Sequence, residues 1–283
     1  MRRRDWLLST LALAPVGRSS ATPSTTPAVD AVVLDGAHRI LFEHGAARLA
    51  ALPGSTLKPF VLAALLERKL LRPDERLACP GGFHLGRHNL ECSHVHGAPP
   101  FDGAEALAAS CNFWFATMAR RLGASGLLAA LRHYGLAAQL AATLEDEGLQ
   151  ALGLAHVSAS PWTLARAYDQ LLRSPPPPLV AAGLRAAVER GTGQRALSTR
   201  VLISGKTGTA HGERPGSSVG WFAGWAHRMA PLGHPITAQG NEAAQEAEQC
   251  IVFAVRVPGG TGGGEAADQA RLLAERWASG HLG

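Results

Sequence analysis

Apolar positions come in continuous short runs at both ends of the chain and at helical spacing through its middle. Ala31-Val32-Val33-Leu34-Asp35 is a short apolar run, Gly36-Ala37 a turn and Arg39 to Glu43 a second strand, so a β-hairpin is predicted over 31–43. After Leu49 to Pro53 the spacing becomes helical, with Phe60, Val61, Ala64 and Leu65 on one face and Lys69 solvated at the polar end. From Pro73 to about Pro178 helices dominate. They are predicted over 104–109, 113–122, 126–134 and 161–172, the last capped by Ser160 with Pro161 at its first position. Glu145-Asp146-Glu147 reads as a solvated acidic turn. Pro175 to Pro178 closes this region, and a helix over about 181–190 precedes Gly191-Thr192-Gly193. Strands are expected at 201–204, 218–226 and 250–257, then a flexible turn at 259–264 and an amphipathic helix over 264–279. Residues 229–249 read as a long polar connection.

Two strands, a helical insert, three strands and a last helix imply an α/β (α+β) fold, an antiparallel sheet flanked by helices with an inserted all-helical subdomain. The expected organisation is an export signal at 1–21, a Thr/Ser/Pro-rich linker at 22–29 and one domain over 30–283. Within it, 30–72 and 179–283 form the sheet part and 73–178 the helical part. The seam between them is where a pocket is expected.

Composition narrows this picture. A hydrophobic fraction of 46% with 17% charged residues describes a folded globular chain, not a disordered one. The net charge of +5 suits an anionic polymer or membrane surface. No Lys/Arg run is interleaved with aromatics, so nucleic acid is not an expected partner. Arg2, Arg3 and Arg4, the apolar stretch from Trp6 to Val16 and the small residues Ser19-Ser20-Ala21 read as an export signal. Arg3-Arg4-Asp5-Trp6-Leu7 resembles a twin-arginine signal, an uncleaved anchor being the alternative, so a periplasmic or cell-envelope location is expected.

The candidate chemistry centres on Pro53-Gly54-Ser55-Thr56-Leu57-Lys58-Pro59. Ser55 and Lys58 lie three residues apart, on one face of a helix. A lysine dried by burial loses its proton more readily and can take one from a neighbouring hydroxyl. A lone Ser-x-x-Lys is more simply a capped helix start, but two further stretches, Ser110-Cys111-Asn112 and Lys206-Thr207-Gly208-Thr209-Ala210, change that balance. The chain has only three lysines, Lys58, Lys69 and Lys206, and two of them fall in these stretches. Arginine stays protonated and could not replace Lys58 as a base.

In this order the three stretches resemble the nucleophile, second and third motifs of penicillin-binding protein transpeptidase domains, in the serine β-lactamase/D,D-peptidase superfamily. Ser158-Ala159-Ser160-Pro161-Trp162 and Gly220-Trp221-Phe222-Ala223-Gly224 extend the likeness, which runs from about Val32 to the last helix. The resemblance implies that Ser55 attacks a D-Ala-D-Ala stem peptide of peptidoglycan, or a β-lactam, and forms an acyl-enzyme. It implies Lys58 as base, Ser110 as proton relay, Asn112 as a hydrogen bonder of the substrate amide, and Lys206 with Thr207 as binders of its carboxylate. Ser55 and Thr209 would supply the oxyanion hole, and Gly208 a bare edge for an extended substrate. The implied activity is D,D-transpeptidase. D,D-carboxypeptidase, β-lactamase and a penicillin sensor that does not turn over are the alternatives. Glu145 and Glu147 lack the companion Asn of a class A deacylation base, which favours acyl transfer. No cofactor is expected for catalysis, and protein partners are not specified.

Four cysteines remain. Cys79 and Cys92 read as a disulfide closing a Gly-rich hairpin loop, or as free thiols. Alternatively Cys79, Cys92, His96 and Cys111 make a Cys₃His set for a structural zinc beside Ser110 and Asn112, with His94 as a substitute for His96. Some elongation-type members of the resembling family carry a metal at this place. Cys250 is expected in the core.

Overall fold

The computed structural model describes residues 28–212, 216–229 and 249–282; the export signal, most of the linker and most of the 229–249 connection lie outside the described residues. The chain starts with the hairpin β1 (Asp30–Asp35) and β2 (Ile40–His44). A 3₁₀ turn, Gly54–Leu57, runs straight into α1 (Lys58–Glu67). A small hairpin, β3 (Gly82–Leu85) and β4 (His88–Glu91), leads to α2 (Gly103–Ala108), α3 (Asn112–Ala119) and α4 (Gly123–His133). The two-residue strands β5 (Ala137–Ala138) and β6 (Val157–Ser158) bracket α5 (Leu144–Ala151). Next come α6 (Pro161–Arg173) and α7 (Pro178–Glu189). The chain returns through β7 (Val201–His211), β8 (Ser218–Arg228) and β9 (Cys250–Pro258) and ends in α8 (Ala267–Ala278).

The antiparallel sheet has the order β2-β1-β9-β8-β7, which leaves β7 at its edge. Both faces are buried, so its central strands read as unbroken apolar runs, with alternate residues serving different cores. Val32, Leu34, Trp221, Trp225, Val252 and Ala254 pack towards the helical side. Val33, Phe222, Ile251, Phe253 and Val255 pack under α8 with Leu273 and Trp277. The expected α/β architecture is the one observed, but the inserted region is not all-helical, since it also carries the two-stranded sheets β3–β4 and β5–β6.

α1 is the axis of the helical side. All eight residues from Lys58 to Leu65 are buried, including Leu62 and Ala63 on the face away from Phe60, Val61, Ala64 and Leu65. A helix apolar all round belongs inside a protein, and here α3, α4 and α7 enclose it. The entry to α1 is pinned from the sheet. Arg256, 4% exposed, pairs with Asp30 at 2.8 Å and donates to the carbonyls of Leu49 and Ala46. Trp221 Nε1 donates to Leu52 O at 2.9 Å.

Two further expectations need correction. Glu145-Asp146-Glu147 is the first turn of α5, not a loop. Thr143 caps it reciprocally with Asp146, and three acidic residues at a helix N-terminus suit its dipole. The K-T-G stretch does not follow a strand but lies within β7, which continues to His211. Among the described residues no helix is long and apolar enough to cross a membrane.

Candidate active site

Ser55 sits on the 3₁₀ turn that feeds α1, and this turn is wedged between three backbones. Gly54 has φ +56, a conformation open to glycine, and its N–H donates to Gly153 O at 3.0 Å. A side chain at Gly54 would press on the backbone of Thr209, and one at Gly208 on Pro53 O and Thr56. Glycine at both positions therefore lets the β7 edge lie directly against the turn. Thr56 is fixed further by its hydroxyl on Pro53 O at 2.8 Å and by Tyr168 Oη on its carbonyl at 2.9 Å.

Three residues on, Lys58 is fully buried. Its Nζ donates to Ser110 O at 2.8 Å, Ser110 Oγ at 3.2 Å and Asn112 Oδ1 at 2.7 Å, and lies 5.4 Å from the centre of the Phe115 ring. Burial pushes its pKa down to about 7, with the Cys111 and Cys92 sulfurs pulling the other way. An amine at that level is partly neutral at physiological pH, as a proton acceptor must be.

Ser110 owes its position to the end of α2. Cys111 N donates to Ala106 O at 2.9 Å and Ser110 N to Leu107 O at 3.2 Å, the Schellman pattern, whose left-handed residue is usually glycine. Here that residue is Ser110, at φ +55. A strained non-glycine backbone at this point marks a side chain that the site needs. Asn112 opens α3, its Oδ1 on Lys58 and its Nδ2 on Glu91 O at 2.9 Å, which leaves one N–H free for a ligand.

Lys206, Thr207, Gly208 and Thr209 come from β7. Lys206 is fully buried with Nζ on Thr207 O at 2.9 Å, and burial together with the Lys58 charge pushes its pKa well below the usual lysine value. Thr207 Oγ1 lies 2.6 Å from Thr192 Oγ1, and both hydroxyls are within 3.4 Å of Lys206 Nζ. Thr192 is a site residue that sequence reasoning missed. The signal was Gly191-Thr192-Gly193: a side chain at Gly191 would run into Ala108 O, so only glycine brings Thr192 to the site.

These residues surround one cleft of about 740 Å³, lined by Ser55, Ser110, Asn112, Thr192, Thr207 and Thr209 among others. The structure thus brings together the sequence-predicted residues from the 3₁₀ turn, the α2–α3 junction and β7. Glu145 is not among the cleft residues; it faces Arg87 and His88 of the small hairpin.

The cysteines gather behind the Ser110 wall. Cys79 and Cys92 are not bonded, their sulfurs standing 3.6 Å apart, and Cys92 Sγ is 3.8 Å from Cys111 Sγ. Ligand atoms of Cys79, Cys92, His94 and Cys111 all fall within 4.8 Å of one another. The fourth member is His94, not His96. The His94 ring packs edge-on against Phe101 with Nδ1 on Val95 O, leaving Nε2 buried without a partner, whereas His96 lies over Gly81. Cys250 is buried on β9, as expected.

The penicillin binding protein transpeptidase domain family matches residues 13–180, short of the Lys206 stretch. Penicillin-binding protein PbpB of Mycolicibacterium smegmatis is 33% identical over 84 residues, 30% of this chain and 13% of that protein's length. In solved structures, PBPA from Mycobacterium tuberculosis superposes with a TM-score of 0.70 at 19% identity, over 88% of this chain and 74% of the other. The D,D-transpeptidase domain of a peptidoglycan glycosyltransferase from Eggerthella lenta gives 0.69 at 19% identity, over 90% and 79%. Pseudomonas aeruginosa PBP2, solved in complex with WCK 5153, gives 0.66 at 20%, over 88% and 74%. The structural likenesses establish the fold, and with more than half of its length matched, the chain belongs to the penicillin-binding protein transpeptidase domain family.

Proposed function

We propose that this chain is a penicillin-binding serine acyltransferase, a D,D-transpeptidase that acts on D-Ala-D-Ala stem peptides of peptidoglycan through an acyl-enzyme on Ser55. The observation that carries the reading is the Lys58 amine, wholly buried, tied to Ser110 and Asn112, and three residues from a serine that lines the cleft. Ser55 Oγ attacks the penultimate carbonyl while Lys58 takes its proton. Ser110, held on Lys58, passes a proton to the departing D-Ala amine, and an acceptor amine then displaces Ser55. Backbone N–H groups of Ser55 and Thr209 face the oxyanion, each worth about 10²–10³ in rate in comparable sites. Lys206, Thr207 and Thr192 bind the terminal carboxylate. That carboxylate favours the ammonium on Lys206, and the Lys206 charge in turn favours a neutral Lys58, so substrate binding readies the base.

The Cys79, Cys92, His94 and Cys111 set fits a structural zinc. Tetrahedral Zn–S bonds of about 2.3 Å place sulfurs about 3.8 Å apart, which agrees with the 3.6 and 3.8 Å found, and the partnerless His94 Nε2 supplies the fourth donor. Such an ion would hold Cys111, and with it Ser110 and Asn112, without entering the chemistry. The arginine-led N-terminal segment supports a cell-envelope location for this activity.

Intact-protein mass spectrometry after addition of benzylpenicillin tests the reading. A persistent one-to-one adduct on Ser55, absent in Ser55→Ala, is expected. An adduct that forms and disappears as penicillin is consumed would make the chain a β-lactamase, and no adduct at any time would leave a fold kept for binding.

A further inference from the structure

Acyl transfer needs a second substrate, and the cleft carries a feature that the donor peptide does not use. We infer that Glu91 binds the ammonium group of the acceptor, so that the acyl-enzyme is offered to a cationic amine in preference to water. The inference rests on the acyl-transfer reading and names the second substrate by its charge.

Glu91 ends β4 and lines the cleft with Ser55, Ser110 and Asn112. It is the one carboxylate residue among the described lining residues. Its backbone is tied to the Lys58 network, because Glu91 O accepts from Asn112 Nδ2 at 2.9 Å and Asn112 Oδ1 accepts from Lys58. Its side chain is exposed and enters no ion pair or hydrogen bond among the described residues. The other exposed charge on the lining, Arg190, has a carboxylate of its own, Glu189, at 3.7 Å.

The charges therefore divide the cleft. The donor's carboxylate is drawn to Lys206, Thr207 and Thr192 and repelled by Glu91, and a cationic acceptor has the opposite preference. The acceptor arrives as an ammonium and gives one proton to solvent. Its neutral nitrogen then forms the N–C bond as the C–Oγ bond to Ser55 breaks, and its second proton returns to Ser55 Oγ by way of Lys58. Glu91 takes no proton in this sequence; it raises the local concentration of the amine at the mouth of the acyl-enzyme.

The test reads how one acyl-enzyme partitions. An N-acyl-D-alanyl thioester serves as donor at pH 8, with lysine amide as the cationic acceptor and hydroxylamine, neutral at that pH, as its uncharged counterpart. Glu91→Gln is expected to lower the aminolysis-to-hydrolysis ratio about fivefold for lysine amide, the size of an exposed ion pair, and to leave the hydroxylamine ratio unchanged. Glu91→Asp should restore part of the preference. In the unsubstituted chain the lysine amide preference should fade with added salt. A ratio that Glu91→Gln leaves unchanged, or lowers equally for both acceptors, overturns the inference. Because the ratio counts only acyl-enzymes that have formed, a poorly folding variant does not distort it. If Glu91→Gln forms none, the salt titration decides, and a salt-independent preference overturns the inference. Failure of the unsubstituted chain to acylate would instead remove the reading beneath it.

Discussion

The two walls of the cleft are built by different means. The sheet wall, Lys206 to Thr209, is one edge strand whose other edge pairs with β8 from Val201 to His211. The opposite wall joins Ser110 to Asn112, which lie in no strand, to the short β3–β4 hairpin of four residue pairs. A left-handed helix end, the packed cluster of Cys79, Cys92, His94 and Cys111 and the bonds of one buried lysine hold it. The first wall is set by backbone pairing, with Gly208 kept bare where it meets the Ser55 turn. The second is set by side chains, so losing one of them moves the others.

The largest effect should come where the walls meet, at Lys58. Lys58→Arg keeps the positive charge but removes the base, and benzylpenicillin acylation is expected to slow by about 10³. In the unsubstituted chain acylation should be flat above pH 7. Below it the rate should fall about tenfold per unit as Lys58, with its pKa pushed down to about 7, takes up the proton it must receive. Stopped-flow acylation from pH 5 to 9 checks both. A rate that does not change between pH 5.5 and 8 would show that another group is the base.

Next in size are changes that act on one wall only. A strong chelator should remove zinc, measured as one ion per chain before treatment. It should lower the melting temperature by several degrees and slow acylation about tenfold, because Cys111 no longer fixes Ser110 and Asn112. Thr192→Val, on the carboxylate side, should leave the melting temperature within a degree or two. It should weaken the donor peptide about tenfold through KM, since one hydroxyl on a charged carboxylate is lost. If both perturbations shift melting alike, the contrast between the walls is wrong.

The sequence made this contrast only half legible. Lys58, Ser110, Asn112 and Lys206 stood out because each belongs to a short stretch of fixed residue types. The sheet was visible because strands buried on both faces are continuous apolar runs. Thr192 was hidden because its role depends on Gly191 letting α7 end against α2, a contact between segments far apart in the chain. Choosing His94 over His96 required knowing that Phe101 turns the first ring inward. α5 was missed because an acidic first turn looks like loop until its Thr143 cap is noticed.

The smallest expected effect is the sharpest probe of the side-chain-built wall. Ser110→Gly and Ser110→Ala both remove the hydroxyl that bonds Lys58, so both should lose the proton relay and acylate equally slowly. They differ in backbone alone. In most contexts alanine is the more stabilising of the two, since glycine frees the unfolded chain. At φ +55 the order should reverse, because an alanine Cβ bears the left-handed strain that glycine escapes, a difference of about 1 kcal/mol. Urea unfolding of the two variants measures it directly. Glycine more stable than alanine would show that the Ser110 hydroxyl is kept at the expense of the helix end that presents it. The ordinary order would mean that this backbone relaxes once the hydroxyl is gone, and that Lys58, not the Schellman turn, holds Ser110 in place.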